Sequence, residues 1–142
     1  MEKLPKINII YEDNHLLVIE KPVGIPVQAD SSNAIDLITI LKEYRIKKEN
    51  KKGDAYIGLV HRLDRPVGGI MVFAKTSKAA SRLSDEIRKN NFHKTYYAVV
   101  EGISPKEGKL EDYLIKNEKE NISYVTTKEK GKYSCLEYTL IS

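Results

Sequence analysis

Apolar and polar residues alternate in short runs along most of this chain, and only two stretches show helical spacing. Ile7-Asn8-Ile9-Ile10-Tyr11 and His15-Leu16-Leu17-Val18-Ile19 are β-rich, and the polar Glu12-Asp13-Asn14 between them predicts a hairpin. Pro22, Gly24 and Pro26 exclude a helix from the loop that follows. Ser31 to Asn33 can cap a helix over Ala34-Tyr44, with Ile35, Leu37, Ile38, Leu41 and Tyr44 at helical spacing. Arg45 to Asp54 carries five basic residues and predicts a solvated loop, better read as a flexible insertion than as an RNA contact. Ile57-Gly58-Leu59-Val60 and Ile70-Lys75 read as strands on either side of a polar loop. Ser77 caps a second helix to about Lys89, with Ala80, Leu83, Ser84 and Ile87 on one face. Four more strands are predicted at Phe92-Glu101, Leu110-Ile115, Ile122-Thr127 and Tyr133-Ile141. The class is α+β: a mixed, largely antiparallel sheet with two helices.

Composition narrows the picture only a little. A chain of 142 residues with 41% hydrophobic content can bury a core as one domain. A net charge of +4 suits a polyanionic partner without demanding one. The single cysteine, Cys135, excludes an internal disulfide and is expected to be a small buried residue. No run approaches the ~18 apolar residues of a membrane span, and the charged N-terminus is no signal peptide, so a cytoplasmic address is expected. Three scattered histidines and one cysteine do not make a metal site.

The candidate chemistry lies in His61-Arg62-Leu63-Asp64-Arg65-Pro66-Val67-Gly68-Gly69. Here one carboxylate stands between two guanidinium groups on a tight loop between two strands. Nearby positive charge favours an ionised carboxylate, which makes Asp64 available as a nucleophile or base; a surface ion pair has the same pattern.

This string resembles the HRLDRxTSG active-site motif of the RluA family of RNA pseudouridine synthases. Lys21-Pro22-Val23-Gly24-Ile25-Pro26-Val27 is similar to the family's KPxGxxV loop. Lys94-Thr95-Tyr96-Tyr97-Ala98-Val99-Val100-Glu101-Gly102 is similar to its KxYxAxVxG strand. The likeness runs from about Ile9 to about Gly102. Val67 and Gly68 replace the hydroxyl residues of the turn, with little expected effect on the chemistry. The family's Gly-Arg-x-His-Gln segment occurs nowhere in the sequence.

The resemblance implies a pseudouridine synthase catalytic domain over 1–142, represented by its N-terminal portion, with no S4-type domain in front. It implies an enzyme that isomerises uridine in ribosomal or transfer RNA as a monomer, with no metal or redox cofactor and no membrane partner. Asp64 is the catalytic carboxylate and Tyr96 the pocket tyrosine, stacking on uracil or assisting proton transfer. Arg62 fills the space of the flipped base and contacts phosphate, and Arg65 orients the loop through a carboxylate or phosphate contact. His61 fixes the loop on the RNA-binding face; Lys94 meets phosphate, supports the Asp64 loop or is a plain surface lysine. The competing reading is a truncated, inactive RNA-binding remnant. A third reading, a non-catalytic protein-interaction domain, has no use for the Asp64 loop and the Tyr96 strand together. An incomplete domain is also expected to leave the last three strands with an open edge and an uncovered apolar face.

Overall fold

Alternation decides the first sheet. The structure, a computed structural model, describes residues 4–142. It divides into two compact units, one ending at Thr95 and one spanning Tyr96–Ser142. The first contains β1 (Asn8–Glu12), β2 (Leu16–Lys21), α1 (Leu37–Lys48), β3 (Gly58–Leu59), β4 (Gly69–Ala74) and α2 (Ser77–Arg88). Its strands lie in the order β1-β2-β4-β3, with every pairing antiparallel. Asp13 turns the predicted hairpin, its carboxylate accepting the backbone N–H of His15 and of Leu16, each at 2.7 Å.

Leu17 and Ile19 of β2, with Met71 and Phe73 of β4, share the buried face and are wholly shielded from solvent. Val27, Leu37, Leu41, Ile57 and Leu63 complete the core. The same two-residue period carries on to Lys21 at the end of β2 and to Lys75 just beyond β4, both buried. Because Lys21 pairs with Gly69 and Leu16 with Ala74, the two lysines sit at opposite ends of the sheet.

Lys75 closes one end through ions. Its ammonium lies 2.8 Å from Glu12 and 3.3 Å from Glu49, and Arg45 grips Glu49 at 2.8 Å. Burial works to raise the Glu12 pKa, but hydrogen bonds from Lys48, Lys75 and Tyr44 outweigh it and bring it to about 2. Arg45 chiefly, then Lys75, lowers Glu49 to about 2. Both folded values lie below the usual 4.5, so the stabilisation is complete above that pH and fades as pH falls toward 2. Urea midpoints measured across that range should drop with acid, and Glu12→Gln should flatten the drop. An unchanged slope in the variant would refute the assignment.

Three expectations need correction in this unit. α1 starts at Leu37 rather than Ala34, because the N–H groups of Leu37 and Ile38 are taken by the carbonyls of Pro26 and Val27. Asp36, not a residue of 31–33, caps it by accepting from the Thr39 N–H at 3.1 Å. The expected solvated loop begins with a buried residue, since α1 runs on to Lys48 and Arg45 donates to the carbonyls of Tyr56 and Lys75. Charge density suggested solvation, but a guanidinium whose donors are met can be buried along with its stem. α2 forms as predicted, with Thr76 rather than Ser77 as its cap.

The second unit holds β5 (Glu107–Asn117), β6 (Ile122–Thr126) and β7 (Lys132–Thr139) in the order β6-β5-β7, the three strands expected there. Register puts Leu110 opposite Leu136 and Leu114 opposite Val125 on one face, where Leu110, Leu136 and Val125 stay exposed. Cys135 is exposed rather than buried: it faces Glu111 across the strand pair, in a three-stranded sheet both of whose faces are largely open. The strand expected at Phe92-Glu101 does not form. Its residues favour extended backbone, but among the described residues no partner strand pairs with 92–100.

Candidate active site

Leu63 anchors the Asp64 loop. It belongs to the core, and burying such a side chain is worth about 1.5–3 kcal/mol, which fixes the backbone one residue before Asp64. The turn then closes locally, with the Val67 N–H donating to the Asp64 carbonyl at 2.9 Å. Asp64 itself is exposed, and its carboxylate makes no hydrogen bond or ion pair among the described residues. It is therefore presented rather than engaged.

The bracing comes from the loop after β2. The Lys21 ammonium donates to the carbonyls of Pro22 at 3.1 Å, Arg65 at 3.1 Å and Val67 at 2.8 Å. One buried cation thus ties both ends of the Asp64 turn to the Lys21–Gly24 loop. Burial pushes the Lys21 pKa down, while the Asp64 charge works to keep the ammonium protonated. The Gly24 N–H donates to the Arg65 carbonyl at 2.8 Å, and Arg65 Nε returns a bond to the Gly24 carbonyl at 2.9 Å. Gly24 sits at φ +84°, where a side chain is strained. Gly68 passes so close that a Cβ there would lie 3.2 Å from both the Lys21 carbonyl oxygen and Val23 Cγ1. The hydroxyl residue of the usual motif would need Val23 to yield.

His61 fixes the other side of the loop. Its Nε2 accepts the Val72 N–H of β4 at 3.1 Å, and its ring meets Phe92 edge-on at 5.2 Å. Accepting at Nε2 requires the neutral ring with its proton on Nδ1. Burial, and then the Lys94 charge, lowers its pKa below 6.5. A depressed histidine stabilises the fold above 6.5 and loses that contribution as pH falls through the folded value. Nitrogen NMR should show the Nδ1–H form at pH 7 and titration below 6.5. A protonated ring at neutral pH would rule this arrangement out.

The structure thus gathers Asp64, Arg65 and His61 around one braced loop in the first unit. Arg62 is exposed and free of protein partners among the described residues. Lys94 is exposed and acts on His61 through its charge. Tyr96 opens the second unit and is 58% exposed. In the sequence Lys21 carries no task beyond its motif, Gly24 serves only to exclude a helix, and Phe92 only to begin a strand. The alternation Leu17, Ile19, Lys21 was the available signal for the first. A cavity of about 590 Å³ lies elsewhere, between the segment Leu4–Ile9 and α1. Among the described residues no group of three His, Cys, Asp or Glu side chains is placed to hold a metal ion, and no helix is long and apolar enough to cross a membrane.

Comparison with known proteins agrees with the motifs. Residues 15–142 match the RNA pseudouridylate synthase family, which carries the likeness well past Gly102. Ribosomal large subunit pseudouridine synthase C of Vibrio cholerae is 35% identical over 134 residues, covering 94% of this chain and 40% of that protein. The D enzyme of Xanthomonas campestris is 28% identical over 134 residues, with coverages of 94% and 40%. tRNA pseudouridine synthase C of Pectobacterium carotovorum is 31% identical over 123 residues, with coverages of 87% and 31%. The chain thus spans about 40% of the length of relatives such as the first two. Among solved structures, human RNA pseudouridylate synthase domain containing 4 aligns with a TM-score of 0.68 at 18% identity, over 93% of this chain and 52% of that one, a likeness of fold. With three ordered motifs and a match over 128 of its 142 residues, the chain belongs to the RNA pseudouridylate synthase family, in the RluA group.

Proposed function

We propose that this chain carries the catalytic carboxylate of an enzyme that converts uridine in ribosomal or transfer RNA to pseudouridine. The supporting observation is Asp64: an unengaged, exposed carboxylate on a turn held from behind by a buried ammonium and a neutral imidazole. The names of the relatives, which include ribosomal and transfer RNA enzymes, support the substrate class.

In the reaction the N1–C1′ bond of uridine breaks, C1′ bonds to C5 of the turned base, the C5 proton leaves to solvent, and N1 takes up a proton in its place. The base must first be everted from its stack to be reached. Asp64 acts by attack at C1′ or C6, or by removing the proton that opens a glycal route. The exposed Arg62 fills the vacated stack and meets phosphate. Tyr96 is assigned to the base on its motif alone, where stacking is worth about 1–3 kcal/mol.

The deciding assay is tritium release to water from RNA carrying 5-tritiated uridine, with the full-length protein. Release accompanied by pseudouridine in the digested product is expected. RNA binding without release would replace this reading with that of an inactive RNA-binding relative.

A further inference from the structure

Arg65 is held by one motif residue, Gly24, and by two residues that belong to no motif, Asp30 and Ser32. Its Nη1 donates to Ser32 Oγ at 3.1 Å and lies 3.6 Å from Asp30 Oδ2, while Nε is taken by the Gly24 carbonyl at 2.9 Å. Ser32 is itself fixed. Its N–H donates to Asp30 Oδ1 at 2.8 Å, its hydroxyl donates to the same oxygen, and Ala34 N–H reaches Ser32 Oγ at 3.3 Å. Nη2 of Arg65 makes no hydrogen bond or ion pair among the described residues, and the side chain is 46% exposed. A guanidinium is planar and rigid, so fixing Nε and Nη1 also fixes the direction of the Nη2 edge.

We propose that Asp30 and Ser32 are positioning residues that aim the open edge of Arg65 as a seat for a backbone phosphate of the RNA strand at the Asp64 loop. This rests on the reading of the chain as part of a pseudouridine synthase. Phosphate fits because a guanidinium N–H makes a strong charge-assisted hydrogen bond to a phosphate oxygen and the Nη2 hydrogens are unpaired among the described residues. Arg65 is also pinned through its backbone, since its carbonyl accepts from both Gly24 N–H and the Lys21 ammonium. Side chain and main chain are therefore registered to the same turn that presents Asp64. Hydrogen bonds from the Ser32 hydroxyl and N–H, and then the Arg65 charge, hold the Asp30 carboxyl below its usual range. Asp30 thus stays anionic at neutral pH. It offsets part of the Arg65 charge, so its contribution to binding is orientation rather than attraction.

The test uses the full-length protein. Asp30→Ala and Ser32→Ala should each raise KM for RNA about three- to fivefold, with most of the loss in KM rather than kcat. Ser32→Thr, which keeps the hydroxyl, should restore the original KM. In an Arg65→Ala background, Asp30→Ala should have no further effect. An equal fold loss in both backgrounds, or tighter RNA binding by Asp30→Ala, would overturn the proposal. A second arm needs no turnover. The Arg65 Nε–H resonance, titrated with inorganic phosphate, should shift in the parent protein and lose that response in Asp30→Ala. No response in the parent removes the seat. A parent that responds to phosphate but releases no tritium keeps the seat and removes the proposed reaction.

Discussion

Asp64→Asn should reduce tritium release from 5-labelled RNA by at least about 10⁴-fold while leaving the protein folded. Loss of a nucleophile or essential base costs this order in enzymes whose groups act as a unit. Asparagine keeps the size and shape of the side chain but offers no nucleophilic oxygen of comparable strength. The structure makes the variant interpretable. The Asp64 carboxylate has no hydrogen-bond or ion-pair partner among the described residues, and the turn is closed by its backbone carbonyl instead. Stability should therefore change by no more than about 0.5 kcal/mol. RNA affinity should stay within a few-fold. Turnover by the variant at anything near the parent rate would end the assignment of Asp64 as the catalytic carboxylate.

Lys21→Met should behave in the opposite way, losing stability and rate together. Methionine keeps the stem that fills the end of the core but removes the donor shared by the Pro22, Arg65 and Val67 carbonyls. Each buried acceptor left unmet costs about 1–3 kcal/mol, and the Pro22 and Val67 ends of the loops can recover water. A net loss of about 2–4 kcal/mol in urea unfolding is expected. The turn would then be free to drift, and a displacement of about 1 Å at a reacting group can cost about 10²-fold in rate. Single-turnover rates measured under conditions where the variant is fully folded separate the two effects. A folded variant with the parent kcat would show that Lys21 supports the core alone.

Residues close in sequence told their structure well, and residues joined through space did not. The hairpin, β4, α2 and the strands of the second unit follow from alternation, helical spacing and the turn residue Asp13. The Asp64 loop was legible because its motif is contiguous. The beginning of α1 was not, because it is set by hydrogen bonds to Pro26 and Val27 that no local pattern encodes. Arg45 and Lys21 were obscured by their charge, which in a sequence reads as solvation; here carbonyls brought from distant segments satisfy it, joined for Arg45 by the Glu49 carboxylate one turn on. Asp30 and Ser32 were out of reach altogether. Ser32 meets Arg65 across 33 positions of chain, and only folding reveals that pairing.

The lysine at the end of β2 has one more consequence. The residue that holds the Asp64 turn is also the last inward-facing position of a central strand, next in the alternation after Leu17 and Ile19. The turn consequently cannot fray by itself. Releasing it exposes an ammonium and the end of the apolar interior at once, so its amides, Val67 and Gly24 among them, should open to deuterium on the timescale of the central strands rather than that of a surface loop.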